Sequence, residues 1–451
     1  MLHDKLKELD RYPFHMPGHK RNQKFNIAGS EIDITEIDGF DNLHCPKGVI
    51  AQTEKQLSEI YKSKHSFMLI NGTTVGILSA VFAVLNEGDT VIVAVNCHKS
   101  VFNACLLRKL QIVLLYPNFD KDNGFYKSIS QEEVDRVCRE HKEAKAVIIT
   151  SPTYEGYVSN ISCTLPIIVD CAHGAHFSLG KFPNYPNGDI VISSLHKTLP
   201  ALTQCAVANI YNEEYTDKVK YYLDIFETSS PSYVLMNSVS MCADYIKNNA
   251  DDFTKFCKSL EKFYKNTHLS NLNLIISDDI SKIIISTYKC NINGEKLAEI
   301  LRLDYNFEPE MVSSEYVLLI TTVADSEDIL NKLSDCLCEI DSKLKAKQKP
   351  PFCESKKSRE KLTITLSDLF EKSELINSAG KICNEFVYAY PPDIPVLFPG
   401  KKIEDSDINQ ILRLYESGVN LISDSDLLPR YILTKKDYSV SYTHLTLPTI
   451  A

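Results

Sequence analysis

Short apolar runs separated by amphipathic stretches dominate residues 65–210. Such runs predict strands, and the stretches between them, such as Glu132–Lys142, have the spacing of surface helices. Strands this apolar are typical of a mainly parallel sheet covered by helices on both faces, so the predicted fold class is α/β with a seven-stranded sheet. The predicted strands are Ser66–Ile70, Thr90–Val95, Ile112–Tyr116, Ala146–Thr150, Ile167–Asp170, Asp189–Ser193 and Cys205–Ile210.

After Pro231 the pattern becomes helical. Apolar residues recur on one face as far as Phe263, which predicts a single long helix. Alternating strands and helices between residues 273 and 341 then predict a compact α+β unit, and a basic, proline-ended stretch reads as a linker. The predicted division is a large domain with an N-terminal arm and the connecting helix (1–265), a small α+β domain (266–342), a linker (343–354), a C-terminal domain (355–438) and a tail (439–451). The tail resembles translated adapter read-through and is expected to be non-native.

Composition narrows the function classes. A net charge of −10 argues against nucleic acid as a partner, because phosphate binding needs concentrated positive charge. No apolar stretch approaches the ~20 residues that span a bilayer, so we expect no membrane partner and a cytoplasmic location. The 14 cysteines are scattered and include no Cys-x-x-Cys pair, which favours reduced thiols and no structural metal.

Asp170 and Lys197 carry the strongest chemical signal. Asp170 ends a predicted apolar strand, and Lys197 lies among hydroxylic residues after a later strand. Considered separately, Asp170 would be interpreted as a turn or helix cap and Lys197 as a surface lysine. Together they match pyridoxal phosphate (PLP) chemistry: the lysine can hold the cofactor aldehyde as a Schiff base, and the aspartate can keep the pyridine nitrogen protonated.

Hydroxyl and N–H donors suited to a phosphate lie in two places. One is the predicted strand-to-helix turn at Gly72, Thr73 and Thr74, and the other is Ser194 and His196 beside the lysine. An ordinary capped turn would look similar to the first.

Three further residues have predicted positions around the cofactor ring. Ala172 is small enough to pack beneath the ring, and His98 could stack on the opposite face. His173 could face the substrate carboxylate, transfer a proton, or only form hydrogen bonds within its own loop.

An ordered set of motifs resembles the bacterial ornithine/lysine/arginine decarboxylases, which are fold type I PLP-dependent enzymes. The motifs are Phe14–Lys20, Asp33–Glu36, Asn71–Gly76, Asn96–Ser100, Ser151–Tyr154, Asp170–His176, Ser194–Lys197 and Tyr390–Pro395. The resemblance implies a transferase-like large domain, a smaller α+β domain and a C-terminal decarboxylase domain. It also implies a short form without the N-terminal wing domain, and a homodimer or larger homo-oligomer with sites at the interface.

By the same resemblance, Lys197 carries PLP, Asp170 pairs with the pyridine nitrogen, His98 stacks on the ring, and Thr73, Thr74, Ser194 and His196 hold the phosphate. The expected reaction is decarboxylation of arginine, lysine or ornithine to agmatine, cadaverine or putrescine, as in polyamine biosynthesis. Which basic amino acid is the substrate stays open.

Three positions depart from the family pattern: Asp393 replaces a usual glycine, Cys171 a usual acidic residue, and Lys401 a frequent glutamate. The alternatives are an aminotransferase or other PLP lyase, and a noncatalytic PLP-binding subunit. A more distant one is a metal site built from His15 and His19, or from Asp170, His173 and His176.

Overall fold

The computed structural model describes residues 2–352, 354, 357–358, 360–391 and 393–436. The predicted non-native tail, residues 439–451, lies outside the described residues. The strands of the large domain are β1 (His65–Leu69), β2 (Thr90–Ala94), β3 (Gln111–Leu115), β4 (Phe119–Asp120), β5 (Phe125–Tyr126), β6 (Ala144–Thr150), β7 (Ile167–Asp170), β8 (Ile190–Ser194) and β9 (Ala206–Ile210). Its helices are α1 (Leu2–Lys7), α2 (Val49–Tyr61), α3 (Gly72–Val84), α4 (Lys99–Leu107), α5 (Gln131–Glu140), α6 (Leu195–Thr198), α7 (Thr216–Phe226), α8 (Tyr233–Asn248) and α9 (Ala250–Asn266).

Two smaller units follow in the chain. The small domain consists of β10 (Asn273–Ile275), β11 (Lys282–Ser286), α10 (Gly294–Tyr305), β12 (Met311–Val312), β13 (Tyr316–Ile320) and α11 (Glu327–Lys343), with an antiparallel sheet in the order β10-β11-β13-β12. The C-terminal unit consists of β14 (Leu362–Thr363), β15 (Phe370–Glu374), β16 (Val387–Ala389), β17 (Ile394–Leu397), α12 (Asp405–Glu416), β18 (Leu421–Ser423) and β19 (Tyr431–Lys435). The domain boundaries remain a prediction.

The central sheet has the order β1-β9-β8-β7-β6-β2-β3-β14. Strands β8, β7, β6, β2 and β3 are parallel, while β9 is antiparallel to both of its neighbours. Every residue of β2, β7 and β8 is buried, as expected for a sheet with helices on both faces. The predicted α/β fold class is therefore confirmed.

The prediction of seven strands is wrong by one within the described residues. The short strand β14 comes from the C-terminal unit and pairs antiparallel with β3 at Leu362 and Ile112. Two residues have no hydrophobic period to detect, and their partner is far away in the sequence, so the local pattern could not reveal this pairing.

The predicted single helix after Pro231 is also wrong, because α8 and α9 are separate helices. Asn249 lies between them with φ −129° and ψ 37°, outside the helical region. Its side-chain amide donates a hydrogen bond to the Tyr245 carbonyl at 3.0 Å, which stabilises the break. The apolar period continues across the break because both helices bury a face. None of the helices in the described residues combines the length and the hydrophobicity that a membrane span requires.

Candidate active site

The loops after the carboxyl ends of the central strands surround a cavity of about 300 Å³. This is the edge at which open α/β sheets bind ligands, since the strand ends and the helix N-termini meet there. The residues predicted from sequence for the site all line this one cavity: Gly72, Thr73, Thr74, His98, Asp170, Ala172, His173, Ser194, His196 and Lys197. Their individual roles stay predictions, and their proximity is what the structure adds.

Lys197 lies in α6, the short helix that follows β8 directly. Its Nζ is 3.1 Å from Nε2 of His173. Burial lowers the pKa of the Lys197 amine, and the negative charges of Asp170 and Glu310 act in the opposite direction. A lysine that loses its proton more readily presents the neutral amine that attack on an aldehyde requires.

Asp170 is the last residue of β7, and 3% of it is exposed. One carboxylate oxygen accepts a hydrogen bond from the backbone N–H of Ala172 at 3.1 Å. A carboxylate this deeply buried is costly unless a cation lies against it. A protonated ring nitrogen in the cavity would be such a cation.

The turn from β1 into α3 contains the residues that are predicted to hold the phosphate. Gly72 has φ +73°, and a side chain added there would extend into open space, in line with its place on the cavity wall. Its N–H donates to the Gln204 carbonyl at 2.9 Å. Within the described residues Asn71 makes no side-chain cap on α3, so the positive end of this 13-residue helix can take an anion.

Ser194 lies close to this turn, and His196 lines the same cavity. The Ser194 hydroxyl lies 3.5 Å from that of Thr73. Nδ1 of His196 is 3.0 Å from the Cys205 carbonyl, which can only accept, so Nδ1 carries a proton. Burial lowers the pKa of His196, so its ring donates a second N–H bond, as a phosphate contact would need, only when a bound anion favours the charged ring.

His98 caps the N-terminus of α4 and lines the same cavity as Ala172. Its Nδ1 accepts the backbone N–H of Ser100 at 3.1 Å, which orients the ring. Its Nε2 is 3.7 Å from a carboxylate oxygen of Asp393. Stacking of His98 on the cofactor remains a prediction.

The C-terminal unit contributes to the cavity wall through Ile394. Next to it, the Asp393 carbonyl accepts the backbone N–H of Lys99 at 2.9 Å. Asp393 has φ +61°, in the left-handed region, which gives a physical reason for the glycine that the family usually has at this position. The departure at Asp393 therefore lies beside the site.

Sequence reasoning gave no role to Lys282 or to Tyr154, although Tyr154 lies in one of the family motifs. Nζ of Lys282 is 3.1 Å from Nδ1 of His173, so this histidine contacts lysines on both sides instead of bonding within its loop. The ring of Tyr154 is 4.3 Å from the His173 ring, and its hydroxyl donates to Glu310. In the sequence, the feature that could have pointed to Lys282 is a charged residue directly before a run of three isoleucines.

The histidines of the metal-site alternative have other partners. His19 contacts the Asp33 carboxylate at 3.0 Å, and the buried His176 contacts Asp279 at 3.2 Å. In the part of the chain that the structure describes, no three His, Cys, Asp or Glu side chains are grouped as metal ligands.

Comparison with known proteins gives a consistent picture. The profile of the family described as "Orn/Lys/Arg decarboxylase, major domain" matches residues 3–275. An uncharacterized protein of Bacillus subtilis, YaaO, is 30% identical over 94% of this chain and 95% of its own length. The arginine decarboxylase of the same organism is 28% identical over 93% of this chain and 94% of its own length.

Solved structures share the fold at low identity. The constitutive lysine decarboxylase of E. coli has a TM-score of 0.75 and 16% identity, covering 96% of this chain and 81% of that one. An alanine–glyoxylate aminotransferase from Nostoc sp. has a TM-score of 0.55 and 11% identity, covering 74% and 98%. The large domain thus has the transferase-like fold of the fold type I enzymes, as predicted.

Proposed function

Because the chain belongs to the Orn/Lys/Arg decarboxylase family, we propose that it is a PLP-dependent decarboxylase of a basic amino acid, with arginine as the first substrate to test. The observation that carries the proposal is the meeting of Lys197, Asp170 and the start of α3 around one cavity. An amine, a buried carboxylate and an uncapped helix N-terminus are the three kinds of group that the cofactor's aldehyde, ring nitrogen and phosphate require.

The cavity fits the cofactor in a further respect. Asn96 lines it with 3% exposure, and within the described residues its side-chain oxygen has no hydrogen-bond partner. Buried polar atoms are seldom left unpaired, so an unsatisfied acceptor at this place indicates a missing ligand or water. A volume of about 300 Å³ is also at the lower end of the range for small-molecule sites.

When bound, PLP supplies an electron-withdrawing ring that stabilises the carbanion left by the departing CO2. The protein groups have separate tasks around that chemistry. Lys197 would hold the cofactor through Nζ, and its amine can carry a proton when it is free. Asp170 would keep the ring nitrogen protonated. Burial and the neighbouring lysines lower the pKa of His173 far below its ordinary value, so a neutral imidazole lies 3.1 Å from Lys197 and can exchange a proton with it.

Arginine is favoured by the relatives that align over 92–94% of their own length. Arginine decarboxylases of three Bacillus species and of Halalkalibacterium halodurans align over 86–94% of this chain. The lysine decarboxylases of E. coli align over 49–53% of it. Negative charge from Glu310 and Asp393 near Lys197 suits a substrate with a cationic end.

We also infer that the protein forms a homodimer or larger homo-oligomer. We infer further that it acts in the cytoplasm, in polyamine biosynthesis. The family resemblance supports the first inference. The cysteines of the described residues are all free thiols, which supports a reducing compartment. Light scattering on the purified protein would test the assembly, and a monomer would contradict it.

The activity is tested by incubating cofactor-loaded protein separately with arginine, lysine and ornithine, without a keto acid, and measuring CO2 and the amine. We expect equal amounts of CO2 and amine, most rapidly from arginine. Borohydride reduction followed by peptide mass spectrometry should find the cofactor on Lys197.

Lys197→Ala should abolish both turnover and the labelled peptide, while Lys62→Ala, a change of a lysine that does not line the cavity, should leave both intact. Turnover that requires a keto acid would identify an aminotransferase instead. Bound cofactor without turnover on any basic amino acid would indicate a noncatalytic subunit.

A further inference from the structure

Lys282, in the small domain, is connected to Lys197 through a single histidine. Lys282 opens β11 and has no exposed surface, although a lysine is rarely buried completely. Its Nζ lies 3.1 Å from Nδ1 of His173, and Nε2 of the same ring lies 3.1 Å from Nζ of Lys197. Amine, imidazole and amine therefore form one hydrogen-bonded chain between the two domains.

The number of protons in this chain is limited by the bonding capacity of the ring. A neutral imidazole has one N–H and one lone pair, whereas an ammonium group only donates. If Lys197 and Lys282 were both ammonium groups, His173 would have to accept at both nitrogens, which a neutral ring cannot do. If His173 were an imidazolium, both amines would have to be neutral. With both contacts made, the three groups carry at most one positive charge.

We propose that Lys282 is a positioning residue that acts through His173: it carries the one positive charge of the chain, and so leaves Lys197 as the free amine that the cofactor chemistry needs. The inference rests on the proposed function for the need for that free amine, but the proton arrangement itself can be measured without cofactor or substrate.

Three carboxylates act to keep a proton on Lys282. Asp279, fully buried on the loop before β11, and Glu155, buried after β6, both act to keep Lys282 charged, and so does Glu310, from the segment before β12. Lys197 opposes them. Burial is the larger effect and lowers the pKa of Lys282 to about 8, which still leaves it protonated at neutral pH.

At Lys197 burial acts against a different set of carboxylates. It faces Asp170, Glu310 and Asp393, and burial lowers its pKa despite them. A charge on Lys282 adds repulsion transmitted across the His173 ring. The arrangement that we propose is Lys282 ammonium to Nδ1, and the Nε2–H of His173 to the neutral Lys197 amine.

The proposal is tested on cofactor-free protein by labelling with traces of acetic anhydride between pH 6 and 10, because only neutral amines react. Mass spectrometry of the Lys197 peptide gives its labelling midpoint. Lys282→Met should move that midpoint upward and reduce labelling at pH 7.5 on the order of tenfold, since one charge at this range shifts a pKa by about one unit. Lys282→Arg keeps the charge and should restore labelling to within about threefold of the parent.

Lys349→Met is the matched control, because Lys349 is also a shielded lysine, 13% exposed, but pairs with Glu315 outside the cavity. It should leave the Lys197 midpoint unchanged. An unchanged midpoint in Lys282→Met, or equal shifts in the Met and Arg variants, would overturn the proposal. The labelling does not depend on decarboxylation, so a failed substrate assay leaves this result interpretable.

A second measurement needs no change at Lys282. The ¹⁵N shifts of the His173 ring in the unaltered protein, assigned by loss of the signal in His173→Gln, report which nitrogen carries the proton. We expect the proton on Nε2. A proton on Nδ1 would mean that Lys282 is the neutral amine, and the assignment of the charge would be wrong.

Discussion

Glu54 gives a pH-dependent prediction that tests the fold away from the cofactor. It lies in α2 with 4% exposure, and its Oε1 accepts the backbone N–H of Met68 at 3.1 Å. The other carboxylate oxygen is 3.9 Å from His65, too far for a hydrogen bond. Burial raises the pKa of Glu54 from 4.5 to about 8, and the hydrogen bond from Met68 only partly opposes this.

The direction in which stability changes with pH depends on whether the folded or the unfolded chain holds the Glu54 proton more tightly. Below pH 4.5 the folded and unfolded chains both keep Glu54 protonated, so it causes no pH dependence. Between pH 4.5 and about 8 the unfolded chain loses this proton while the folded chain keeps it, so the stability of the folded state falls as pH rises. The whole difference corresponds to an upper limit of ~5 kcal/mol at about 1.4 kcal/mol per pH unit.

Glu54→Gln replaces the acid with a neutral side chain of similar shape and should remove this loss. Glu54 lines a cavity of about 270 Å³, through which water can solvate the charged form. We therefore expect a gain of ~2 kcal/mol at pH 8.5, since water penetration reduces ideal burial costs to a fraction. Converted at ~2–4 °C per kcal/mol, the thermal midpoint should rise by several degrees.

The assay compares thermal midpoints of the parent, Glu54→Gln and Glu59→Gln at pH 5.0 and 8.5. Glu59 is an exposed residue of the same helix and serves as the control, which should behave like the parent at both pH values. The advantage of Glu54→Gln should be small at pH 5.0 and appear at pH 8.5. An advantage that is equal at both pH values, or a loss at pH 8.5, would refute the reasoning.

Two further substitutions test the site and the packing. Asp170→Asn removes the buried charge at the end of β7 and should lower kcat by about 150- to 5,000-fold, the equivalent of the ~3–5 kcal/mol lost when a buried pair is broken. Borohydride reduction should still find cofactor on Lys197, and a kcat within about threefold of the parent would contradict the role of Asp170. Gly294→Ala places a Cβ 2.0 Å from the Ser313 carbonyl oxygen. Because this oxygen belongs to the backbone, it cannot move away by a side-chain rotation, and the change should destabilise the small domain by ~1–3 kcal/mol or more. Gly18→Ala, with nothing within 4 Å of the new Cβ, is the control in thermal melts, and equal midpoints for the two variants would contradict the packing argument.

The sequence alone predicted seven of the eight strands of the central sheet within the described residues, and it pointed to the proposed chemistry at Asp170 and Lys197. Both are local properties. The spacing of its apolar residues indicates that a strand is buried, and the carboxyl ends of parallel strands meet at one edge of the sheet whatever the strand order. Placing Gly72 and Ser194 near the same lysine needed no knowledge of side-chain contacts.

Only the tertiary structure decided which distant residues meet. Lys282 contacts His173 across 109 positions of the chain, and β14 reaches β3 from another unit. The break at Asn249 was also hidden, because two helices that bury the same face continue one apolar period. Periodicity indicates that a side chain is buried but not what lies against it. The sequence could therefore single out Lys197, whereas the contacts of His173 with Lys197 and Lys282 exist only in the folded chain.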